Sequence, residues 1–336
     1  MQWRLRMSRT LQHPAPDSAS ATPASPAWAA VVVASRESVP TLMATLDALA
    51  RAAVRPLLID LVINGNDALA HQAAAAVRSR PPHWPAEMQL RIWSLAFGDK
   101  AHALNRYVHD LWPGGEATFF VDGYVRVRPD ALQRLASTLA RLEPEAMAVA
   151  AFPTCGRGAS VLAANLHRHG GLHGNLFVLG APAMRAMREI HFQLPLGMYR
   201  VDSTLAAALA FRLFPRDFEW DVKRYVPIDT EATWDVEVTP WWHASAWRTR
   251  IKRRRRQAQG DLENWAVRHW LLLNRRPVEG MASTVEALVQ RWAEEDPAGL
   301  AERLQGRPLR QRAWRDLLKT PVRHGVSTPA RLVAHV

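Results

Sequence analysis

Apolar residues in the first half of the chain cluster in short, nearly continuous runs, and a stretch of helical spacing follows each of them. The first run, Ala29-Ala30-Val31-Val32-Val33-Ala34, leads through a polar turn to Pro40, which opens a helix with Leu42, Leu46, Leu49 and Ala53 on one face. The second, Leu57-Leu58-Ile59-Asp60-Leu61-Val62-Ile63, ends in the turn Asn64-Gly65-Asn66-Asp67, and a helix through Ala73 to Val77 follows. A Pro-rich break at Pro81-Pro82-His83-Trp84-Pro85 separates it from the third, Leu90-Arg91-Ile92-Trp93. Gly98 to Leu111 then has helical spacing, with Leu104, Val108 and Leu111 inward. The fourth run, Thr118-Phe119-Phe120-Val121, is aromatic and β-branched, as in a strand buried on both faces. Val125 and Val127 alternate with Arg126 and Arg128, which predicts a short strand with one wet face. Pro129 fits the first turn of a helix carrying Leu132, Leu135, Leu139 and Leu142 on one side.

The pattern continues more sparsely. Leu176-Phe177-Val178-Leu179 predicts a strand, and Pro182 starts a helix with Met184, Met187 and Ile190 inward. Asp202-Ser203 opens an apolar helix with Leu205, Leu209 and Leu213 along one side. From about Pro277 the chain becomes helical and charged, over Met281 to Glu295, Gly299 to Gln305 and Arg310 to Lys319, and its apolar positions suit packing back on the preceding domain. Residues 1–27 carry no period and predict a disordered lead-in. The last residues show no cap and are expected to fray.

Strands that are apolar throughout, alternating with helices, imply an α/β fold with a mostly parallel sheet covered on both faces. Such sheets bind ligands beyond the carboxyl ends of their strands. Asp122 is delivered to that edge, and Gly123 after it allows a tight turn or close backbone approach. Capping a turn is the competing role for Asp122 at this spacing.

A chain of 336 residues with 48% hydrophobic content buries a full core. No apolar run approaches the roughly 20 residues that span a bilayer, and the basic N-terminus lacks the apolar core of a secretory signal. The single cysteine, Cys155, excludes an intrachain disulfide, fits a reducing compartment and reads as a small packed residue. The expected location is cytoplasmic. Net charge is +12, which favours polyanions such as phosphorylated small molecules, an anionic membrane face or nucleic acid. The surplus is densest in Arg248, Arg250, Lys252, Arg253, Arg254, Arg255 and Arg256. No nucleic-acid recognition motif accompanies this run, so no nucleic-acid partner is expected. Neither a G-x-G-x-x-G turn nor a P-loop occurs, so a nucleotide would be held in another way.

Taken in order, Ser35-Arg36-Glu37-Ser38, Asn64-Gly65-Asn66-Asp67, the G-D-K-A-H-A-L-N segment from Gly98 and Phe120-Val121-Asp122-Gly123 through Pro129-Asp130-Ala131-Leu132 resemble the nucleotide-sugar half of family 2 glycosyltransferases. The resemblance implies a GT-A-like fold: a mostly parallel sheet flanked by helices over residues 28–266, with a helical C-terminal extension at 267–336. It implies an inverting transfer of a sugar from a nucleoside-diphosphate donor to a hydroxyl acceptor, whether a sugar, a lipid-linked glycan or a small molecule. It places Glu37, Asp67, Lys100, Asn105 and Asp122 around the donor. It makes Asp202 the match to the acid of an E-D-x-x-L motif, with Val201 where the first acid usually stands. An inverting transfer needs one carboxylate to take the acceptor's proton, and helix capping is the competing role for this residue.

Other parts of the chain carry the resemblance further. Gly170 to Ala183 is similar to the family's acceptor-side segment, which would turn His173 and Asn175 to the cleft. His243, in the Trp-rich segment Val236 to Trp247, stands where a late histidine would reach a metal or diphosphate. Arg255, Arg256 and Gln257, with Gly260 and Trp265, fall like the family's basic segment at the diphosphate and acceptor mouth. A solvated cationic helix is the competing reading of the basic run, and peripheral docking on the inner, anionic face of a membrane is another.

One departure matters: the family's D-x-D reads Asp122-Gly123-Tyr124. Either Asp122 and His243 hold Mg²⁺ or Mn²⁺, or arginine and lysine side chains supply the positive charge, or activity is lost. A non-catalytic relative that binds a nucleotide sugar or docks a partner, and a nucleotidyltransferase on a similar sheet, are the alternatives to glycosyl transfer. The second would want glycines after the first strand, where Ala34-Ser35-Arg36-Glu37 has none.

Overall fold

A computed structural model describes residues 26–79, 81–155, 158–237, 244–319 and 329–336, and side chains throughout these except over 244–252. Its centre is an eight-stranded sheet. The strands are β1 (Trp28–Ala34), β2 (Leu57–Asn64), β3 (Met88–Leu95), β4 (Ala117–Asp122), β6 (Ala148–Ala151), β7 (Leu176–Gly180), β8 (Ile228–Asp229) and β10 (Arg331–His335), in the order β10-β3-β2-β1-β4-β7-β6-β8. β5 (Val125–Val127) and β9 (Trp234–Val236) form a separate antiparallel pair. β3, β2, β1 and β4 run parallel, β7 is antiparallel to β4, and β10 is antiparallel to β3. This is the mostly parallel α/β sheet expected from the apolar runs.

The helices are α1 (Val39–Ala52), α2 (Asp67–Val77), α3 (Lys100–Arg106), α4 (Ala131–Leu142), α5 (Ala159–His169), α6 (Ala181–Glu189), α7 (Val201–Leu209), α8 (Val222–Tyr225), α9 (Ala244–Arg268), α10 (Val285–Glu295), α11 (Pro297–Leu304) and α12 (Pro308–Lys319). They cover both faces, because every residue of β1 and β2 is buried and successive side chains point to opposite sides. Ala30, Val32 and Ala34 enter a core with the helix residues Leu42, Leu46 and Leu135. Val31 and Val33 enter another, with Tyr107, Leu205, Leu262 and Trp292. The C-terminal helices thus complete the second core.

The register carries Asp122 to the lip of the sheet, opposite Val33 of β1. Gly123 continues beyond it against β1, donating its N–H to Val33 O at 3.0 Å while its own carbonyl accepts from Thr45 Oγ1 at 3.0 Å. A Cβ here would lie 2.9 Å from Ala34 Cβ and 3.2 Å from Val33 O, both on a buried strand that cannot give way. The close approach expected at Gly123 is therefore real.

Some elements differ from the sequence reading. The C-terminal residues, expected to fray, form β10, whose pairing on β3 shields that strand's edge; Arg331 also pairs with Asp67. The C-terminal extension is thus helical with one strand added. The division at 266–267 falls inside α9, where Leu262, Ala266 and Val267 share one core. α5 had no predicted counterpart. Residues 1–25 of the lead-in lie outside the described residues.

Candidate active site

The carboxyl ends of β1, β2 and β4 open into a cleft of about 1820 Å³, which is also lined by α5, the loop before β7, the start of α7 and one side of α9. Glu37, Lys100, Asp122, His173, Asn175, Asp202, Arg256 and Gln257 all line it. Residues far apart in the chain meet here because four parallel strands end on one edge.

At its centre lie Asp122, from the end of β4, and Lys100, the first residue of α3. The Lys100 ammonium pairs with Asp122 Oδ1. The single proton of the Tyr124 phenol is shared between Asp122 Oδ2 at 3.1 Å and Asn175 Oδ1 at 3.0 Å. Asn175 is itself anchored, its carbonyl accepting the Asp122 N–H at 3.3 Å. Burial lowers the Lys100 pKa, but the Asp122, Asp202 and Glu37 carboxylates outweigh it and leave the ammonium above its ordinary range. Desolvation, with the Asp122 charge beside it, raises the Tyr124 phenol well above the usual tyrosine range. Lys100 is thus a cation and Tyr124 a neutral donor at any working pH.

Asp202 is the second residue of α7, yet it does not cap the helix: the cap position is Arg200, and Asp202 Oδ2 instead accepts the Gly174 N–H at 3.1 Å. Its Oδ1 has no hydrogen-bond partner among the described residues, and Asp202 lines the cleft. A Cβ on Gly174 would stand 3.0 Å from Lys100 Nζ, 3.7 Å from Asp202 Oδ2 and 3.8 Å from Asp122 Oδ2. The two carboxylates and the ammonium therefore converge on one point, and any side chain at 174 would occupy it. Capping accounts for neither acid.

Glu37, in the turn after β1, accepts the N–H groups of Ser35 and Arg36 with Oε2 at 2.7 and 2.8 Å. His173 stacks on Trp234 and accepts the Asn175 N–H at Nδ1, at 3.3 Å. Burial pushes its pKa down despite Asp202 and Asp122, so the ring is neutral there. Arg256 and Gln257 lie on α9 at the mouth, whereas exposed Arg255 is not among the lining residues.

Two residues expected at the donor stand elsewhere. Asn105 exchanges two 2.9 Å hydrogen bonds with the backbone of Leu194 and clips that loop to α3. Asp67, at the start of α2, accepts from Ser94 Oγ at 2.8 Å and from Arg331, outside the cleft lining. In both cases a polar partner from a distant segment of the chain takes the side chain. His243 and the side chains of Trp247, Arg248, Arg250 and Lys252 lie outside the described residues.

Other residues of the site had no reading as such in the sequence. Asp99 caps α3 by accepting the His102 N–H at 2.7 Å and also takes the Gly197 N–H at 2.7 Å, which ties α3 to the loop before α7. A cap at Asp99 is visible in the spacing; the long-range bond is not. Glu263, fully buried in α9, accepts the N–H groups of Tyr199 at 3.0 Å and Arg200 at 2.8 Å, just before Asp202.

Mg²⁺ or Mn²⁺, which the resemblance implies, would need several hard, preferably anionic oxygens. Both Asp122 oxygens already accept from protein donors, and the position two residues on carries a neutral phenol. Among the described residues no three His, Cys, Asp or Glu side chains come together as a metal site. The residues described do not fit the ion. Nor, among them, is any helix long and apolar enough to cross a membrane.

Neither a family model nor a curated protein sequence matches the chain. Several solved structures are similar in fold. A mannosyltransferase from Pyrobaculum calidifontis, in complex with GDP-Man and Mn²⁺, is 19% identical, with 87% of this chain and 85% of that one covered at a TM-score of 0.49. S. aureus TarS 1-349 with UDP-GlcNAc is 10% identical over 86% and 79% of the two chains, at 0.45. Glucosyl-3-phosphoglycerate synthase from Mycobacterium tuberculosis, with Mn²⁺, UDP-Glc and phosphoglyceric acid, is 16% identical over 71% and 79%, at 0.47. At these values the similarity concerns the course of the chain, and each ligand belongs to the protein it was solved with.

Proposed function

We propose that this protein transfers a sugar from a nucleoside-diphosphate donor to a hydroxyl acceptor, with inversion at the anomeric carbon. One observation carries the reading: Asp122 and Asp202 converge with Lys100 on the space at Gly174, inside one cleft at the carboxyl edge of a parallel sheet. That edge is where such sheets take nucleotides. In this reading Glu37 faces the nucleotide and Lys100, held by Asp122, faces the diphosphate. The acceptor enters from the side of α5 and α7.

Asp202 acts as the base. As the acceptor oxygen bonds to the anomeric carbon, its proton passes to Asp202 Oδ1. The bond from that carbon to the diphosphate oxygen breaks on the opposite face, and its electron pair leaves with the nucleoside diphosphate. A carboxylate lining the cleft and held by one backbone N–H, with no partner on its other oxygen among the described residues, suits that proton transfer. Arg256 and Gln257 at the mouth are placed to meet the acceptor or the departing diphosphate.

Release of free nucleotide from a panel of UDP-, GDP- and dTDP-sugars, followed with and without acceptor, tests the reading. Asp202→Asn is expected to lower turnover by about 10²- to 10⁴-fold, the range for loss of a positioned base, while donor binding persists. Donor binding without turnover under any condition would instead support a non-catalytic binding protein.

A further inference from the structure

The centre of the cleft carries a built-in cation beside Asp122, and a neutral phenol where hard-metal chemistry would need a second acid. Two residues after Asp122, Tyr124 presents a phenol whose single proton is shared between Asp122 Oδ2 and Asn175 Oδ1. The ammonium of Lys100 occupies Asp122 Oδ1. A divalent ion binding either Asp122 oxygen would have to compete with a donor already there, and on Oδ1 with a full positive charge. Of the other acids lining the cleft, Asp99 takes a backbone N–H on each oxygen, whereas Asp202 and Glu37 each have one oxygen engaged by backbone N–H groups.

Lys100 itself has capacity left. An ammonium has three N–H groups, and Asp122 takes one of them among the described residues. The remaining donors lie in a partly exposed cleft, with Lys100 retaining 36% of its side-chain surface. The missing side chain of Gly174 keeps open the space next to Nζ, since a Cβ there would come to 3.0 Å. Arg253 and Arg256 line the same cleft from α9, so a second source of positive charge faces the first.

We infer that this protein neutralises the diphosphate of its donor without a divalent metal, using the Lys100 ammonium fixed by Asp122 and Tyr124, with arginines of α9 completing the charge. The inference rests on the nucleotide-sugar reading above and accounts for Tyr124, whose phenol satisfies the Asp122 oxygen that a metal would otherwise claim. The leaving diphosphate takes the electron pair of the broken bond, and its added charge meets hydrogen-bond donors already in place.

Calorimetric titration with UDP, GDP and dTDP, each in excess EDTA and again in Mn²⁺, tests this without relying on turnover. The wild-type protein is expected to bind one of them with affinities that agree within about threefold in the two buffers. Lys100→Met is expected to weaken binding in both by on the order of 10- to 100-fold, as for loss of a charge-assisted hydrogen bond. Tyr124→Asp, which restores the second acid, is expected to bind weakly in EDTA and to recover on addition of Mn²⁺. Wild-type binding that requires Mn²⁺, or that is insensitive to Lys100→Met, overturns the inference and leaves sugar transfer standing. Absence of nucleotide binding in either buffer overturns both.

Discussion

His173 lies flat against Trp234, with ring centroids 5.4 Å apart and planes 13° from parallel, and one ring nitrogen already accepts the Asn175 N–H. Burial lowers its pKa below the usual histidine value, and the net effect survives the attraction of Asp202 and Asp122. The unfolded chain therefore takes up this proton first as the pH drops. The neutral ring's contribution to stability is complete above about pH 6.5, the unfolded value, and is lost as the pH falls from there toward the depressed folded value. His173→Asn keeps an acceptor for Asn175 but does not titrate. Melting temperatures of the two proteins between pH 7.5 and 5.5 are expected to converge on acidification. A constant difference would mean that His173 is not held neutral.

Strands β2 and β3 share a charged pair that their apolar pattern conceals. Asp60, fully buried in β2, stands opposite Arg91 in register and accepts from its Nε at 2.7 Å and Nη2 at 2.8 Å; Trp93 Nε1 adds a third hydrogen bond at 2.7 Å. Arg91 continues to Leu111 O at 2.9 Å, which joins the sheet to the turn after α3. Burial raises the Asp60 pKa against these donors, so the pair is costly to form and costlier to break. Asp60→Asn, which strands the guanidinium, is expected to lose about 3 kcal/mol in urea denaturation, at the low end for a broken buried pair because Arg91 keeps 20% of its side-chain surface in water. The double change Asp60→Leu with Arg91→Met is expected to recover most of that. A single variant within about 1 kcal/mol of wild type would show the pair to be inert.

Across the whole molecule, the C-terminal helices reach the candidate base through Glu263. Its carboxylate, buried in α9, accepts the N–H groups of Tyr199 and Arg200 and the amide of Gln259, and so pins the loop that delivers Asp202. Gly260, one turn earlier, lets α9 lie against that loop: a Cβ would stand 2.7 Å from the Arg200 side chain. Glu263→Ala is expected to destabilise by about 2–5 kcal/mol, since two buried N–H groups lose their acceptor. It is also expected to lower kcat about tenfold with the donor KM little changed, a loss in positioning and not in donor binding. Glu263→Gln, which retains one acceptor oxygen, is expected to fall between. Thermal melts and steady-state kinetics on the three proteins decide the matter, and an Ala variant that melts with wild type would sever the link.

The apolar runs by themselves determined the buried parallel strands, since a strand covered on both faces has no polar alternation to keep. They determined also the edge at which Asp122 emerges, and the helices whose leucines recur at helical spacing. Motif order brought Glu37, Lys100, Asp122 and Asp202 into one expectation, and all four line one cleft. What only the tertiary structure decided are the long-range polar bonds. Asp67 and Asn105 look like ligand contacts in the chain, but Ser94, Arg331 and the Leu194 backbone take them, and none of these partners is near in sequence. β10 was illegible because an edge strand needs little more than a free edge to pair with. Tyr124 read as a missing acid; its bonds to Asp122 and Asn175 make it a donor with partners of its own. Burial patterns are written locally in side-chain hydrophobicity, whereas a hydrogen bond between distant segments exists only once the fold has set its distance and direction.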